Sequence, residues 1–189
     1  MRRYREPVDP VIAQQLAARS ADLLTAWHPG SAEQRALRDE YLAFIEHHGP
    51  DAVRKPAGPE HLTASCFLFT EDRAHVLLTL HRKAGRWLQL GGHYEPADAD
   101  PAEAALREAL EEGGVPGATL VGLADLDRHE LVGAFGACRV HWDLGFLATV
   151  PAASAPVISD ESDDVRWFRI DELADAAPDV ARRLAPILA

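Results

Sequence analysis

Gly91-Gly92-His93-Tyr94-Glu95-Pro96-Ala97-Asp98-Ala99-Asp100-Pro101-Ala102-Glu103-Ala104-Ala105-Leu106-Arg107-Glu108-Ala109-Leu110-Glu111-Glu112-Gly113-Gly114-Val115 is the stretch on which the reading of this chain turns. Asp100-Pro101 followed by Glu103 predicts a helix start, with a side-chain cap and proline in the first turn. Gly113-Gly114 predicts its end. The span between is rich in Ala and Leu, which favours helix. At about 100° per residue, Glu108, Glu111 and Glu112 fall within roughly 100° of arc and about 6 Å of helix axis. Leu106 and Leu110 are expected on the opposite side, entering a core. Ala105 and Ala109 leave room for close packing beside the acidic face.

Such a helix is electrostatically poor by itself. Glu108 and Glu112 are like charges at i,i+4, costing a few tenths of a kcal/mol. Glu111 and Glu112 lie in the last turn, where the helix dipole disfavours anions by about 0.3–1 kcal/mol each. A divalent cation among the carboxylates would offset this. Oxygen-only ligands favour Mg²⁺, Mn²⁺ or Ca²⁺ over zinc, and Mg²⁺ first, because it is commonly bound by one or two carboxylates plus substrate phosphates. A solvated acidic face is the plain alternative. The Gly-Gly turn with Glu95 just upstream argues against it, because glycine lets backbone groups approach a ligand closely.

Outward from this segment, the first 50 or so residues read as helical. Asp9-Pro10 starts one helix and His28-Pro29-Gly30 stops it. Ser31 with Gln34 matches a capping box, and Gly49-Pro50 ends a second helix. Residues 1–55 are therefore expected to form an N-terminal helical extension and 56–189 the main domain. Thr63 to Thr70 and Ala74 to His81 read as strands around a turn at Glu71-Asp72-Arg73. Thr119 to Leu131 and Ala137 to Val150 read as two more strands. Val165 to Ile170 reads as a last strand, and Asp171 to Leu188 as a helix interrupted near Pro178. Strands on both sides of a central helix give an α/β fold with a mixed sheet between helical layers.

Composition narrows the function. The chain has 189 residues and a net charge of −11, so it lacks the basic surface that tracks nucleic acid or an anionic membrane. No apolar run reaches membrane-span length. No apolar signal core follows the basic N-terminus, so a cytoplasmic location is expected. Cys66 and Cys138 show no CxxC spacing and are expected to be buried, reduced thiols.

The segment 91–115 resembles the Nudix box: Gly, five residues, Glu, seven residues, then Arg-Glu-apolar-x-Glu-Glu-x-Gly-apolar. Arg107-Glu108-Ala109-Leu110-Glu111-Glu112-Gly113-Gly114-Val115 matches its second half throughout, and Gly92 matches its leading glycine. The middle is one residue longer, its first acid is Asp98 or Asp100, and Leu90 stands where many members have Pro. The resemblance, to a bacterial subgroup with a Gly-Gly-His-x-Glu loop, extends over roughly residues 60 to 170. It implies a Nudix fold, an α/β/α sandwich, and Mg²⁺-dependent hydrolysis of a pyrophosphate bond in a nucleoside diphosphate linked to another moiety. Nucleotide sugars, ADP-ribose-like molecules and nucleoside triphosphates are the substrate classes it allows. Carried over by position, Gly91 (through its carbonyl), Glu108, Glu111 and Glu112 are the implied metal ligands. Glu108 is alternatively the general base, and Arg107 orients a carboxylate. Some members place the base on a later loop, which makes Glu161, then Asp160, a candidate. Glu95 is a candidate to support the metal ligands from outside or to hold the loop, or is simply solvated, and His93 is a phosphate contact or a loop residue. His141 and Asp143 share a strand face and read as either pocket-lining or half-exposed. Trp87, Phe135 and Trp142 are stacking candidates or core. The partner is a small nucleotide, and the resemblance allows a homodimer. Two rivals remain: a Nudix-fold binding module without catalysis, and an isoprenoid diphosphate isomerase, which needs a site cysteine where Cys66 and Cys138 lie outside the box.

Overall fold

The computed structural model describes residues 7–131, 137–159 and 162–188. Helices α1 (Pro10–Ala26) and α2 (Ala32–His48) lead into short 3-10 turns and strand β1 (Glu60–Thr70). Strands β2 (His75–His81), β3 (Arg86–Leu88) and β4 (Leu90–His93) precede the box helix α3 (Pro101–Gly113). Then come β5 (Thr119–Glu130), β6 (Val140–Val150), β7 (Ser162–Arg169), the short helix α4 (Leu173–Ala176) and α5 (Pro178–Leu188).

The seven strands form one mixed sheet with the path β3-β2-β1-β6-β5, β4 pairing with β1 and β7 with β2. β1 runs parallel to β6 from Glu60↔Val140 to Thr70↔Val150, and it is antiparallel to β4 over Thr63↔His93 to Cys66↔Leu90. Side chains alternate across a strand, so β1 separates two interiors. Leu62, Ala64, Cys66 and Leu68 join Trp142, Leu144 and Phe146 in a core covered by α1, α2 and α3. Phe67 and Phe69 face the other way, packing with Val180 and Leu184 of α5. This is the expected sandwich, with an N-terminal helical region that shares its core with the sheet. Trp142 belongs to that core: it is 8% exposed, stacked on Phe44 at 4.5 Å and edge-on to Tyr41. Trp87 packs edge-on against Phe168. Phe135 lies outside the described residues.

Long-range polar contacts fix the helices in place. The Ser31 hydroxyl accepts from the Gln34 N–H at 3.0 Å, but the Gln34 side chain does not close the box. Its amide instead donates to the Leu126 carbonyl and accepts from the Leu126 N–H. It thereby occupies backbone groups on the edge strand β5. The Tyr41 hydroxyl donates to the Asp143 carbonyl at 3.0 Å. At the turn after β1, Arg73 has φ 55°, the one non-glycine residue with positive φ among those described.

The box helix corrects one expectation. Leu110 is 51% exposed and Leu106 only partly buried, while the face against the sheet carries Ala104, Ala105, Glu108, Ala109, Glu112 and Gly113. Glu108 and Glu112 thus lie on the inner face, while Glu111 is exposed beside it. Small neighbours at 104, 105 and 109 let the helix approach the sheet closely. A Cβ at Gly113 would lie 2.8 Å from the end of the Leu77 side chain, so a larger residue there would have to push Leu77 aside.

Candidate active site

Helix α3 begins as its sequence dictates. The Asp100 carboxylate accepts from the Glu103 N–H at 2.9 Å, and Glu103 accepts in turn from the Ala99 N–H. Gly114 closes it in the left-handed conformation, φ 65°. This assigns Asp100 to capping and leaves Asp98 to the site. The Asp98 side chain is 2% exposed and takes two bonds from Arg107, Nε at 2.8 Å and Nη2 at 3.1 Å. It also accepts from the Glu95 N–H.

Arg107 is the hub. Besides Asp98, it donates to Glu108 at 2.9 Å, to Glu111 at 3.3 Å and to the His93 carbonyl at 3.0 Å, and it lies 3.8 Å from Glu95. Burial disfavours its charge, but the Asp98 hydrogen bonds and the Glu108 carboxylate outweigh that and raise its pKa. A permanently charged, planar donor suits this multidentate role. Glu112 is 5% exposed, and its carboxylate accepts from the Gly91 N–H at 2.9 Å. Glu108 is 1% exposed and lies against Gly92, where an added Cβ would collide with its carboxylate. The glycine strand and the acidic helix are therefore in direct contact. Gly92→Ala is expected to displace Glu108 and cut hydrolysis by roughly 10–100-fold, comparable to the loss of a supporting contact at a metal site, with the fold retained. Steady-state kinetics beside a circular-dichroism melt checks this.

The structure thus brings together Gly91, Arg107, Glu108, Glu111 and Glu112, with Asp98 and Glu95 at the same hub. The donor set is oxygen-only and two of its carboxylates are nearly sealed, which fits a hard divalent cation. Arg107 and the Gly91 N–H offset part of the negative charge that the helix alone would leave unbalanced. Glu161 and Asp160 lie outside the described residues.

On the opposite sheet face lies polar chemistry that strand-by-strand reading misses. Asp143 is buried, accepting from Thr63 at 3.0 Å, Ser65 at 2.5 Å and Arg183 at 2.9 Å. Arg183 of α5 also pairs with Asp125 through two bonds of 2.8 and 2.9 Å. Burial works against the Arg183 charge, and the Asp125 and Asp143 carboxylates more than restore it. Burial pushes Asp125 upward against the pull of Arg183. Asp143 is therefore an anchor for the C-terminal helix.

Next along that face, His61, His93 and His141 gather with ring centroids 4.9–5.1 Å apart. Cys138 completes a group of possible metal-holding side chains. Burial lowers the pKa of His61 to about 4 and of His141 to about 3, so both rings are neutral near pH 7. His93 and His141 are each visible in the sequence. The available signal is polar alternation in His61-x-Thr63-x-Ser65 and His141-x-Asp143, but the pairing of strands some 80 residues apart is not visible there.

Comparison with known proteins agrees with this architecture. A family model described as NUDIX domain matches residues 59–189. Among solved structures, a C. elegans Ap4A hydrolase superposes with TM-score 0.56 at 18% identity, covering 67% of this chain and 94% of that one. The E. coli dihydroneopterin triphosphate pyrophosphohydrolase gives 0.55 at 19%, covering 67% and 92%. The NUDIX domain of Shewanella oneidensis NrtR, complexed with ADP ribose, gives 0.50 at 20%, covering 68% and 88%. No curated protein matches the sequence. At these identities the superpositions speak for the fold, while the family match spans well over half of the chain. The chain belongs to the NUDIX domain family, the hydrolase family that its box resembles.

Proposed function

We propose that this Nudix hydrolase cleaves, with Mg²⁺, the pyrophosphate bond of a nucleoside diphosphate linked to another moiety. The observation that carries the reading is the sealed contact of Glu108 and Glu112 with the Gly91-Gly92 strand, organised by Arg107. Glu111, Glu112 and Glu108, with the Gly91 carbonyl, would hold the cation. Mn²⁺ is an acceptable substitute for such oxygen donors. When bound, the cation supplies positive charge to the phosphoryl oxygens and makes water more acidic.

The residues divide the remaining work. Arg107 holds Glu108 and Glu111 in fixed orientations, so neither side chain must be ordered when substrate arrives. Glu112 ties the helix to the glycine strand. The attacking water loses its proton to a carboxylate, and Glu108 and Glu161 are the two candidates. The Glu161 variant separates them, because Glu108 also holds the cation. If Glu161 serves, Glu161→Gln lowers kcat with metal affinity unchanged; if Glu108 serves, Glu161→Gln leaves kcat near the wild-type value. The named relatives act on or bind Ap4A, dihydroneopterin triphosphate and ADP ribose. All carry phosphoanhydride bonds, and this supports the same bond class here.

A screen of nucleotide sugars, ADP-ribose-like compounds, dinucleoside polyphosphates and nucleoside triphosphates tests the reading. Turnover with Mg²⁺ or Mn²⁺, abolished by chelator, is expected. Tight binding of such compounds without cleavage under any metal would overturn it in favour of a binding module. Among the described residues, no helix is long and apolar enough to cross a membrane.

A further inference from the structure

We propose a second metal site, for Zn²⁺, built from His61, His93, Cys138 and His141 on the sheet face opposite the box helix. Their ligand atoms all lie within 4.8 Å of one another. A tetrahedral zinc with bonds of about 2.0–2.3 Å needs ligand atoms roughly 3.3–3.8 Å apart, so side-chain adjustments of about an ångström close the cage. The backbone presets this geometry. His61 and His141 are register partners on the parallel strands β1 and β6, and His93 is the register partner of Thr63 at the end of β4. Cys138 precedes β6, and its neighbour Arg139 is bonded through its N–H to the Pro59 carbonyl. The four ligands thus come from three adjoining strand ends.

The interior itself points to a ligand. His61 is fully buried and Cys138 is 3% exposed. Both ring nitrogens of His61, and Nε2 of His141, are buried without a hydrogen-bond partner among the described residues. The Gly58 backbone lies close enough to resist the fall in the His61 pKa, but it makes no well-formed bond. Unsatisfied buried polar atoms are costly, and metal ligation satisfies them. Three imidazoles and a thiolate are a soft donor set that selects zinc over magnesium. Four protein ligands leave no open position, which is the pattern of a structural rather than a catalytic zinc.

Its place gives it a purpose. His93 directly follows the Gly91-Gly92 pair, and its carbonyl accepts from Arg107. Zinc on the His93 ring would therefore tie the glycine turn, and through it the Arg107 hub, to β1 and β6. Its ligands are separate from the carboxylates of α3.

Untagged protein, kept reduced and stripped with chelator, is titrated with Co²⁺ and then Zn²⁺. One tetrahedral Co²⁺ per chain is expected, with intense visible bands and a thiolate charge-transfer band near the ultraviolet, displaced by one Zn²⁺. Cys138→Ser should remove the charge-transfer band, and His141→Gln should weaken Zn²⁺ binding by more than about tenfold. Glu111→Gln/Glu112→Gln should leave the spectrum intact. Absence of tetrahedral Co²⁺ in the folded wild-type chain, or a charge-transfer band that survives Cys138→Ser, would overturn the site. Neither result depends on hydrolysis, so this proposal and the Mg²⁺ reading fail separately.

Discussion

The double variant Glu111→Gln/Glu112→Gln is expected to lose hydrolysis by at least roughly 10³-fold while remaining folded. The magnitude follows from removing transition-state charge stabilisation worth several kcal/mol, at about 1.4 kcal/mol per tenfold in rate. Stability should move the other way or not at all. Neutral amides in the last turn of α3 relieve an unfavourable dipole interaction of about 0.3–1 kcal/mol each. The amide oxygen that replaces the Glu112 carboxylate can still accept the Gly91 N–H. Rate and melting temperature measured on the same preparation distinguish a lost site from a lost fold. Full turnover by the folded double variant would refute the assignment.

Arg183→Ala should be strongly destabilising, at about 3–5 kcal/mol. It strands the Asp125 and Asp143 carboxylates in the interior without their cation. For a chain of this length that corresponds to a fall in melting temperature of roughly 6–20 °C. The pH dependence has a definite sign. Burial already holds Asp125 above its unfolded value of 3.8, and removing Arg183 raises it further. The folded variant then binds protons more readily than the unfolded chain, so its stability rises as pH falls through that elevated pKa. The deficit relative to wild type is therefore largest near neutral pH and narrows in acid. Denaturant melts of variant and wild type at a series of pH values below neutrality measure this. Asp125→Asn combined with Arg183→Met should cost less than the sum of the single changes, because the two groups share one buried network.

What can be read from the sequence divides along the range of the interactions. The caps at Asp9, Ser31 and Asp100, the turn at Glu71-Asp72-Arg73 and the break near Pro178 are local, and local chemistry predicts them. The mixed sheet follows from strands flanking the box helix. The face that α3 buries does not. Hydrophobicity points to Leu106 and Leu110, but close approach to Gly91-Gly92 demands small residues and draws the carboxylates inward with them. Spacing alone also leaves Asp98 and Asp100 unresolved; hydrogen bonding separates a partner of Arg107 from a helix cap. Apolar character places the start of the last strand at Val165, but β7 begins at Ser162, whose hydroxyl accepts from Thr79 across the sheet. The histidine–cysteine group and the Arg183 network depend on contacts such as His61↔His141, Thr63–Asp143 and Arg183–Asp143, 40 to 80 positions apart, which no short window contains. Trp142, a stacking candidate by sequence, sits under α2 for the same reason: the helix that covers it lies about a hundred residues earlier.

The carboxylates of α3 are expected to hold a divalent cation against the glycine strand. Electron paramagnetic resonance of Mn²⁺ titrated into the reduced, chelator-treated protein tests it most directly, with Mg²⁺ as competitor. A bound Mn²⁺ displaced by Mg²⁺, with affinity at least about tenfold weaker in folded Glu111→Gln/Glu112→Gln, is the predicted result. Equal Mn²⁺ affinity in the wild-type and double-variant proteins would contradict it.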